Sequence, residues 1–207
     1  KEEKTLLTAM ESKDNRVVFS SLLDTIRSCV KDEVKIHQLT SFDIEYMFLQ
    51  IRSKSVGETA KVSLECSECK TQNEIDVRLD DIKIHIPEVN KTIKLDDSIT
   101  LEVDWPSFND LIGSDVVMGD TPTADQIFVV MQSCFKTIIT DDERINLKEV
   151  SKRELQEFME SMNSSQFGKV RDFIENIPKL QHTLEFDCVS CGHKNKQVVE
   201  GVSNFLG

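Results

Sequence analysis

The N-terminal part of the chain shows the hydrophobic spacing of α-helices. Between Thr5 and Val30, apolar residues recur every three or four positions with a break near SKDN, which predicts a hairpin of two amphipathic helices. A further helix is predicted over TSFDIEYMFLQIRSKSVGE, where Thr40 or Ser41 would cap the start and Gly57 would stop the helix. The side chains of this helix that are expected to face a core are Phe42, Tyr46, Met47 and Leu49.

The pattern changes to strict alternation of apolar and polar residues at Glu58. The stretches AKVSLEC and NEIDVRL alternate on either side of a short turn, which predicts a β-hairpin. Further strands are predicted from IKIHI and from KTIKLDDSITLEVDW, with a turn at residues 96–98 and an end at Pro106. This part of the chain is therefore expected to form a small antiparallel β region.

Helical spacing returns after residue 106. The stretches TADQIFVVMQSCFKTII, SKRELQEFMESM and SSQFGKVRDFIENIP predict three helices, and Pro178 would stop the third. Thr123 and Ser151 begin the first two with the spacing of a capping box. The charged stretch TDDERINLKE between these two helices is expected to be a solvated loop.

Two Cys-x-x-Cys motifs each lie between alternating stretches. Cys66 and Cys69 form the first motif, Cys188 and Cys191 form the second, and 118 residues separate the two motifs. Each motif follows one predicted strand and precedes another, and each has an asparagine four residues after its second cysteine. The two motifs are therefore interpreted as two versions of one structural unit.

Four thiolates from two such hairpins match the tetrahedral, soft-ligand preference of Zn²⁺. Zinc ribbons usually have about 15–20 residues between their two motifs, so the longer interval here predicts a split ribbon with a helical insertion. Gly192 suits the tight turn after the second motif. A site closed by four cysteines leaves no position for water or substrate, so it is expected to fasten the fold where the insertion leaves and rejoins it.

Two other uses of these cysteines stay open, with less support than structural zinc. A thioredoxin-like redox pair requires a strand-to-helix junction, whereas strands are predicted after both motifs. An iron–sulfur cluster also uses four thiolates. His193 is a possible substitute ligand, although a surface position beside the site is the simpler interpretation. Cys29 and Cys134 lie in apolar helical runs and are expected in the core.

These patterns predict an α+β fold with four segments. The first is an N-terminal helical region at residues 1–57, and the second is the β region with the first zinc knuckle at residues 58–106. The third is the helical insertion between the two knuckles at residues 107–180, and the last is the second knuckle and C-terminal strand at residues 181–207.

Composition and motif content exclude several classes of function. The chain has 37 Asp+Glu and 25 Lys+Arg, a net charge of −12, which repels nucleic-acid phosphates. No apolar run approaches the roughly 20 residues of a membrane-spanning helix and KEEKTLLTAM is not a signal segment, so a soluble protein in a reducing compartment is expected. No glycine-rich phosphate loop is present, and no nucleophile–base pattern surrounds His37, His85 or His182, so no enzyme is predicted.

Four residues are candidates for contact with a partner. Trp105 stands before a proline at a predicted strand end, where it would either anchor an interface or pack inside. Arg52, Lys54 and Glu58 lie at or just after the end of the helix that Gly57 would stop, and they are the better candidates in that stretch.

Three stretches of the sequence resemble the baseplate hub proteins of T4-type bacteriophages, a family that includes a hub subunit and a hub assembly factor. In chain order they are KEEKTLLTAMES, LTSFDIEYMFLQIRSKSVGE and LECSEC. The resemblance covers about residues 1–106. Members of the family have a short β-rich segment before the first helix, so the absence of such a segment here leads us to expect that upstream sequence is missing.

The resemblance implies a non-enzymatic role in building the central hub of a contractile tail baseplate, in the cytoplasm of the infected bacterium. The implied partners are other baseplate hub and tail proteins, and a homo-oligomer is left open. The protein would be either an assembly factor that is absent from the finished particle or a structural subunit that is retained in it. The acidic balance favours a releasable factor.

Overall fold

The computed structural model of the protein describes residues 15–31, 34–108, 110 and 124–205, and shows an α+β fold. The helices of these residues are α1 (Asn15–Cys29), α2 (Ser41–Ser55), α3 (Ala124–Cys134), α4 (Lys152–Ser161) and α5 (Ser164–Glu175). The strands are β1 (Thr59–Glu65), β2 (Gln72–Arg78), β3 (Lys83–His85), β4 (Thr92–Lys94), β5 (Thr100–Val103), β6 (Phe135–Ile139), β7 (Arg144–Asn146), β8 (Lys179–Asp187) and β9 (Lys194–Glu200). None of these helices has the length and apolar character that crossing a membrane requires.

The chain divides into two compact units. The first contains the described residues up to His85 and from Pro178 onward, and the second contains residues 86–108, 110 and 124–177. Among the described residues, the chain leaves the first unit after His85 and re-enters it at Pro178. The two units are defined by contacts between residues, whereas the four predicted segments are defined by the sequence pattern. The division into four segments therefore stays a prediction.

The first unit contains two antiparallel sheets. One is the β1–β2 hairpin, in which Glu65 pairs with Gln72 at the turn end. The other has the order β3-β8-β9. His85 of β3 pairs with Lys179 of β8, so this ladder brings together the residues where the chain leaves and re-enters the unit. Nine residues of extended strand span about 30 Å, and Cys188 follows the opposite end of β8. The ladder, rather than the cysteines, holds the two ends of the intervening chain.

Helix α2 packs one face inward in the first unit. Its start is capped as predicted: the Thr40 hydroxyl accepts a hydrogen bond from the Asp43 backbone N–H, and the Asp43 carboxylate accepts one from the Thr40 N–H. The helix ends at Ser55, shortly before Gly57, which has a φ of +156°. Of the four residues predicted to face a core, Phe42 and Leu49 are buried and Tyr46 and Met47 are half-buried.

The second unit is a four-stranded antiparallel sheet with helices. The strand order is β4-β5-β6-β7, and the turn between β4 and β5 lies at the predicted residues 96–98. Its hydrophobic core includes the fully buried Leu101, Met131 and Val170. The capping box of α4 at Ser151 is confirmed, whereas the one predicted at Thr123 lies outside the described residues.

Two elements of the second unit differ from the sequence-based prediction. The helix predicted over residues 123–139 ends at Cys134, and Phe135–Ile139 form β6 instead. Ile138 pairs with Leu101 on one side and Ile145 on the other, so the β-branched run serves as a strand between two neighbours. Strand β7 lies within residues 140–149, where the sequence predicts a solvated loop. The predicted helical insertion therefore contains strands as well as helices.

The two isolated cysteines also differ from each other. Cys134 is buried, as predicted. The prediction for Cys29 is wrong, because this residue is the last of α1 and is exposed. The buried apolar residues of α1 include Leu22, Leu23 and Ile26, and Cys29 follows them at the exposed end of the helix.

Candidate metal centre

The first cysteine motif forms the turn between β1 and β2. The backbone N–H of Cys66 donates to the Thr71 carbonyl (2.9 Å), and the N–H of Lys70 donates to the Cys66 carbonyl (3.0 Å). Lys70 has a φ of +62°, the left-handed conformation that few residues other than glycine adopt. This backbone turn brings both thiols of the motif to the same side of the hairpin end.

The second motif repeats this turn between β8 and β9. The backbone N–H of Cys188 donates to the His193 carbonyl (2.9 Å), and the N–H of Gly192 donates to the Cys188 carbonyl (2.9 Å). Gly192 has a φ of +72° and therefore stands where Lys70 stands in the first motif. The two hairpins predicted from the sequence as versions of one unit thus have the same hydrogen-bond pattern.

The two turns bring all four thiols together. The Sγ atoms of Cys66 and Cys191 lie 3.8 Å apart, those of Cys69 and Cys188 lie 3.5 Å apart, and all four lie within 4.8 Å of one another. A tetrahedral ion with metal–sulfur bonds of about 2.3 Å requires sulfur–sulfur separations of about 3.8 Å. The four thiols therefore fit a single tetrahedral metal ion, which the cluster could hold.

The cluster is half enclosed. The first cysteine of each motif is buried, with Cys66 0% and Cys188 4% exposed, whereas Cys69 and Cys191 are exposed. The Ser190 backbone N–H lies 3.4 Å from the Cys188 sulfur, in position to donate to it. Backbone donors to sulfur favour thiolates, which are the form that binds a metal.

The thiols differ in acidity. The pKa of Cys66 is lowered to about 6, chiefly because the backbone N–H of Cys69 donates to its sulfur. The pKa of Cys69 is lowered as well, chiefly through a hydrogen bond with the Thr71 side chain. A backbone hydrogen bond from His193 lowers the pKa of Cys191, but its contacts with the other thiols, together with partial desolvation, outweigh this and raise that pKa to about 12. Four adjacent thiolates repel one another, and a divalent cation relieves that repulsion.

Two further residues lie at this site, and the sequence pattern alone predicted no role for them. Asn73 and Asn195, the asparagines four residues after each motif, are almost fully buried at the cluster. The Asn195 side chain donates to the Cys66 sulfur at 3.5 Å. Their repetition at the same offset was the signal in the sequence, but which atoms they would contact depends on the way the two hairpins face each other.

His193 does not take part through its ring. It is exposed, and its backbone carbonyl accepts the hydrogen bonds from Cys188 and Asn195. This matches the interpretation of His193 as a surface residue beside four sulfur ligands.

The candidate partner-binding residues lie elsewhere. Lys54 is exposed and lies 3.7 Å from Glu58 and 3.4 Å from Asp80 as ion pairs, and Arg52 is half-buried on the same helix end. Trp105 belongs to the second unit, where its ring stacks on Phe173 with centroids 4.6 Å apart. Of the two alternatives given for Trp105, this stacking corresponds to packing inside the protein. The partner-binding role of all four residues stays a prediction.

Comparison with known proteins gives one finding that covers the whole chain. The chain matches no curated protein and no solved structure. A family profile described as "T4 bacteriophage base plate protein" matches residues 1–207. The first 106 residues carried the resemblance noted in the sequence, and the profile extends it through the second cysteine motif. The protein therefore belongs to the T4 bacteriophage base plate protein family.

Proposed function

We propose that the protein is a non-enzymatic assembly factor for the central hub of a contractile phage tail baseplate, stabilised by a structural zinc ion. The observation that carries this proposal is the family match over the whole chain. Family membership implies a role in the phage baseplate and partners among phage tail proteins. The net charge of −12 supports the releasable role, because a strongly charged surface keeps a protein soluble on its own.

Zinc is the proposed ion because of the ligands and their spacing. Four sulfur ligands favour soft or borderline metals over Mg²⁺ or Ca²⁺, and the separations of 3.5 and 3.8 Å suit one tetrahedral ion. An iron–sulfur cluster places several metal atoms between its cysteines and would need the sulfurs to lie farther apart. A redox pair is disfavoured because each motif lies between two strands, without a helix N-terminus to activate the thiol.

A structural rather than catalytic role for the ion follows from the complete ligand set. Three protein ligands and an open position are typical of catalytic zinc, whereas four thiols surround this position. Bound here, the ion would hold the β1–β2 hairpin against the β8–β9 hairpin, which are far apart in the sequence. The binding free energy would then contribute to folding.

A structural subunit retained in the baseplate is the second candidate, because the family description itself names a base plate protein. The two candidates differ in whether the chain remains in the finished particle. Quantitative mass spectrometry of purified particles and of the infected-cell lysate separates them. The proposal predicts the protein in the lysate and its absence from particles. A fixed stoichiometry in particles, comparable to that of other baseplate proteins, would contradict it in favour of the retained subunit.

The contribution of the metal to this role is tested by exchanging single cysteines in the phage. A phage carrying Cys188→Ser is expected to form few complete baseplates, because the hairpins lose their shared ion. The matched control is Cys29→Ser, which changes an exposed cysteine outside the cluster and should leave the yield unchanged. Equal yields from both variants would contradict the structural role of the ion.

A further inference from the structure

Two buried amides lie between the cysteine turns. Asn73 is 1% exposed and Asn195 is 4% exposed, and burying a polar amide is costly unless it is hydrogen-bonded. Each asparagine pairs across its own hairpin with an apolar residue, Asn73 with Leu64 and Asn195 with Phe186. A hydrophobic residue would fill these positions at less cost, so the amides call for a specific explanation.

Asn195 binds the turn of the other hairpin. Its side-chain oxygen accepts hydrogen bonds from the Ser67 backbone N–H (2.9 Å) and from the Ser67 hydroxyl (3.0 Å). Its side-chain nitrogen donates to the His193 carbonyl (3.0 Å) in its own hairpin. Because a backbone N–H only donates and a carbonyl only accepts, these partners fix the orientation of the amide.

Asn73 makes the reciprocal contacts. Its side-chain oxygen accepts a hydrogen bond from the Val189 backbone N–H (2.9 Å) in the second motif, and its nitrogen donates to the Thr71 carbonyl (2.8 Å). Ser67 and Val189 each follow the first cysteine of their motif. Each asparagine thus holds the residue next to a buried cysteine of the opposite hairpin.

The two amides differ in their remaining contact. The Asn195 nitrogen also lies 3.5 Å from the Cys66 sulfur, whereas the Asn73 nitrogen lies 3.5 Å from the Leu64 carbonyl. A donor to a metal-bound sulfur withdraws electron density from it, and such contacts beyond the ligands tune metal sites. Both asparagines therefore join the two hairpins in the same way, but only Asn195 contacts a cysteine sulfur.

We propose that Asn73 and Asn195 are the positioning residues of the metal centre: both lock the two cysteine turns together, and Asn195 also sets the donor strength of the Cys66 sulfur. This inference rests on the metal site proposed above. The hydrogen bonds from Ser67 to Asn195 and from Val189 to Asn73 do not involve sulfur, so they align the thiols independently of the ion. The contact between the Asn195 nitrogen and the Cys66 sulfur would act on the ion through that one ligand.

The test compares Asn73→Asp with Asn195→Asp in the full-length protein loaded with Co²⁺. Aspartate has nearly the same shape, keeps the accepting oxygen and replaces the donating nitrogen, so the two variants are matched controls for each other. Both are expected to lower metal affinity about 10–100-fold in chelator competition. Only Asn195→Asp should move the thiolate-to-cobalt charge-transfer band to longer wavelength, because the Cys66 sulfur loses its donor.

The outcomes separate this inference from the metal site itself. If the unsubstituted protein takes up no metal, the proposed site and this inference both fail. If it binds metal and both variants bind within about threefold of it, the positioning role fails while the site stands. An identical band shift in the two variants would contradict the special role of Asn195.

A measurement on the unsubstituted protein keeps the locking role testable even if a variant does not fold. The backbone amides of Ser67 and Val189 lie in turns outside any strand ladder, yet both donate to a buried side chain. Hydrogen exchange at these two amides should be slowed to rates similar to those of neighbouring strand amides. Rapid exchange at either amide would contradict the lock at that turn.

Discussion

Glu45 is a carboxylic acid in the interior of the first unit. It is 7% exposed, and its Oε2 accepts a hydrogen bond from the Val202 backbone N–H at 3.2 Å. Burial raises its pKa from 4.5 to about 7, although the Val202 hydrogen bond opposes this rise. The residue therefore links the stability of the first unit to pH within the physiological range.

Between pH 4.5 and about 7, native Glu45 retains a proton that the unfolded chain has lost. The free energy of unfolding therefore falls as pH rises through this window, by about 3 kcal/mol in total. Glu45→Gln removes the titration and keeps an acceptor for Val202. Urea unfolding of both proteins from pH 5 to 8 should show the wild type losing stability relative to the variant as pH rises. A difference that stays constant with pH would contradict the burial of a titrating carboxylate.

Gly192 is favoured at its position by backbone conformation rather than by lack of space. Its φ is +72°, yet an added Cβ would meet no atom within 4 Å. Gly192→Ala is therefore expected to lower the free energy of unfolding by about 1–2 kcal/mol through the cost of the left-handed conformation alone. Chemical denaturation of the metal-loaded protein measures this change.

Gly168 is the matched control for this substitution. It lies within α5, and an added Cβ would likewise meet nothing within 4 Å. Gly168→Ala is expected to raise stability by about 0.5–1 kcal/mol, because alanine is the better helix residue. If both substitutions change stability in the same direction, the turn at the second motif does not depend on the left-handed residue.

At the scale of elements, local pattern predicted the β-hairpins and the capped starts of α2 and α4, but not the end of α3. Strict alternation identified β1, β2 and β8, because each buries one face of a strand. The run QSCFKTII satisfies helical spacing and strand propensity at once, and the choice at Phe135 depends on the neighbouring strands β5 and β7. Short strands such as β7 owe their form to pairing, which no local pattern reveals.

Helix α4 depends on its N-terminal cap. The Ser151 hydroxyl accepts a hydrogen bond from the Glu154 N–H, and the Glu154 carboxylate accepts one from the Ser151 N–H (3.0 Å). Ser151→Ala is expected to lower the free energy of unfolding by about 1 kcal/mol. Ser151→Asn, which keeps an acceptor, should remain near wild type in the same denaturation experiment. A Ser151→Ala variant as stable as the wild type would show that the cap contributes nothing.

At the scale of the whole molecule, the cluster could be predicted from chemistry although its geometry could not. Two Cys-x-x-Cys motifs supply a complete ligand set, so their meeting across 118 residues followed from what the thiols can bind. The reciprocal contacts of Asn73 and Asn195 arise only once the hairpins face each other. The sequence also could not show that pairing of β3 with β8 holds together the two ends of the chain between His85 and Lys179.

Because of the β3–β8 ladder, we expect the described residues of the first unit to fold without residues 86–177. Because His85 and Lys179 are antiparallel partners, a linker of about four residues could replace residues 86–177. The shortened protein is expected to bind one metal ion with an affinity close to that of the full chain. The shortened chain carrying Cys188→Ser is the control and should bind none. Loss of metal binding on shortening alone would contradict the independence of the first unit.

The central claim is that two distant hairpins share one metal ion. The most direct test is elemental analysis of the protein purified under reducing conditions, together with Cys66→Ser and Cys188→Ser, one from each hairpin. The account predicts one zinc per chain in the unsubstituted protein and loss of that zinc in each variant. Absence of metal from the unsubstituted protein, or retention of a full equivalent by either variant, would contradict a single shared site.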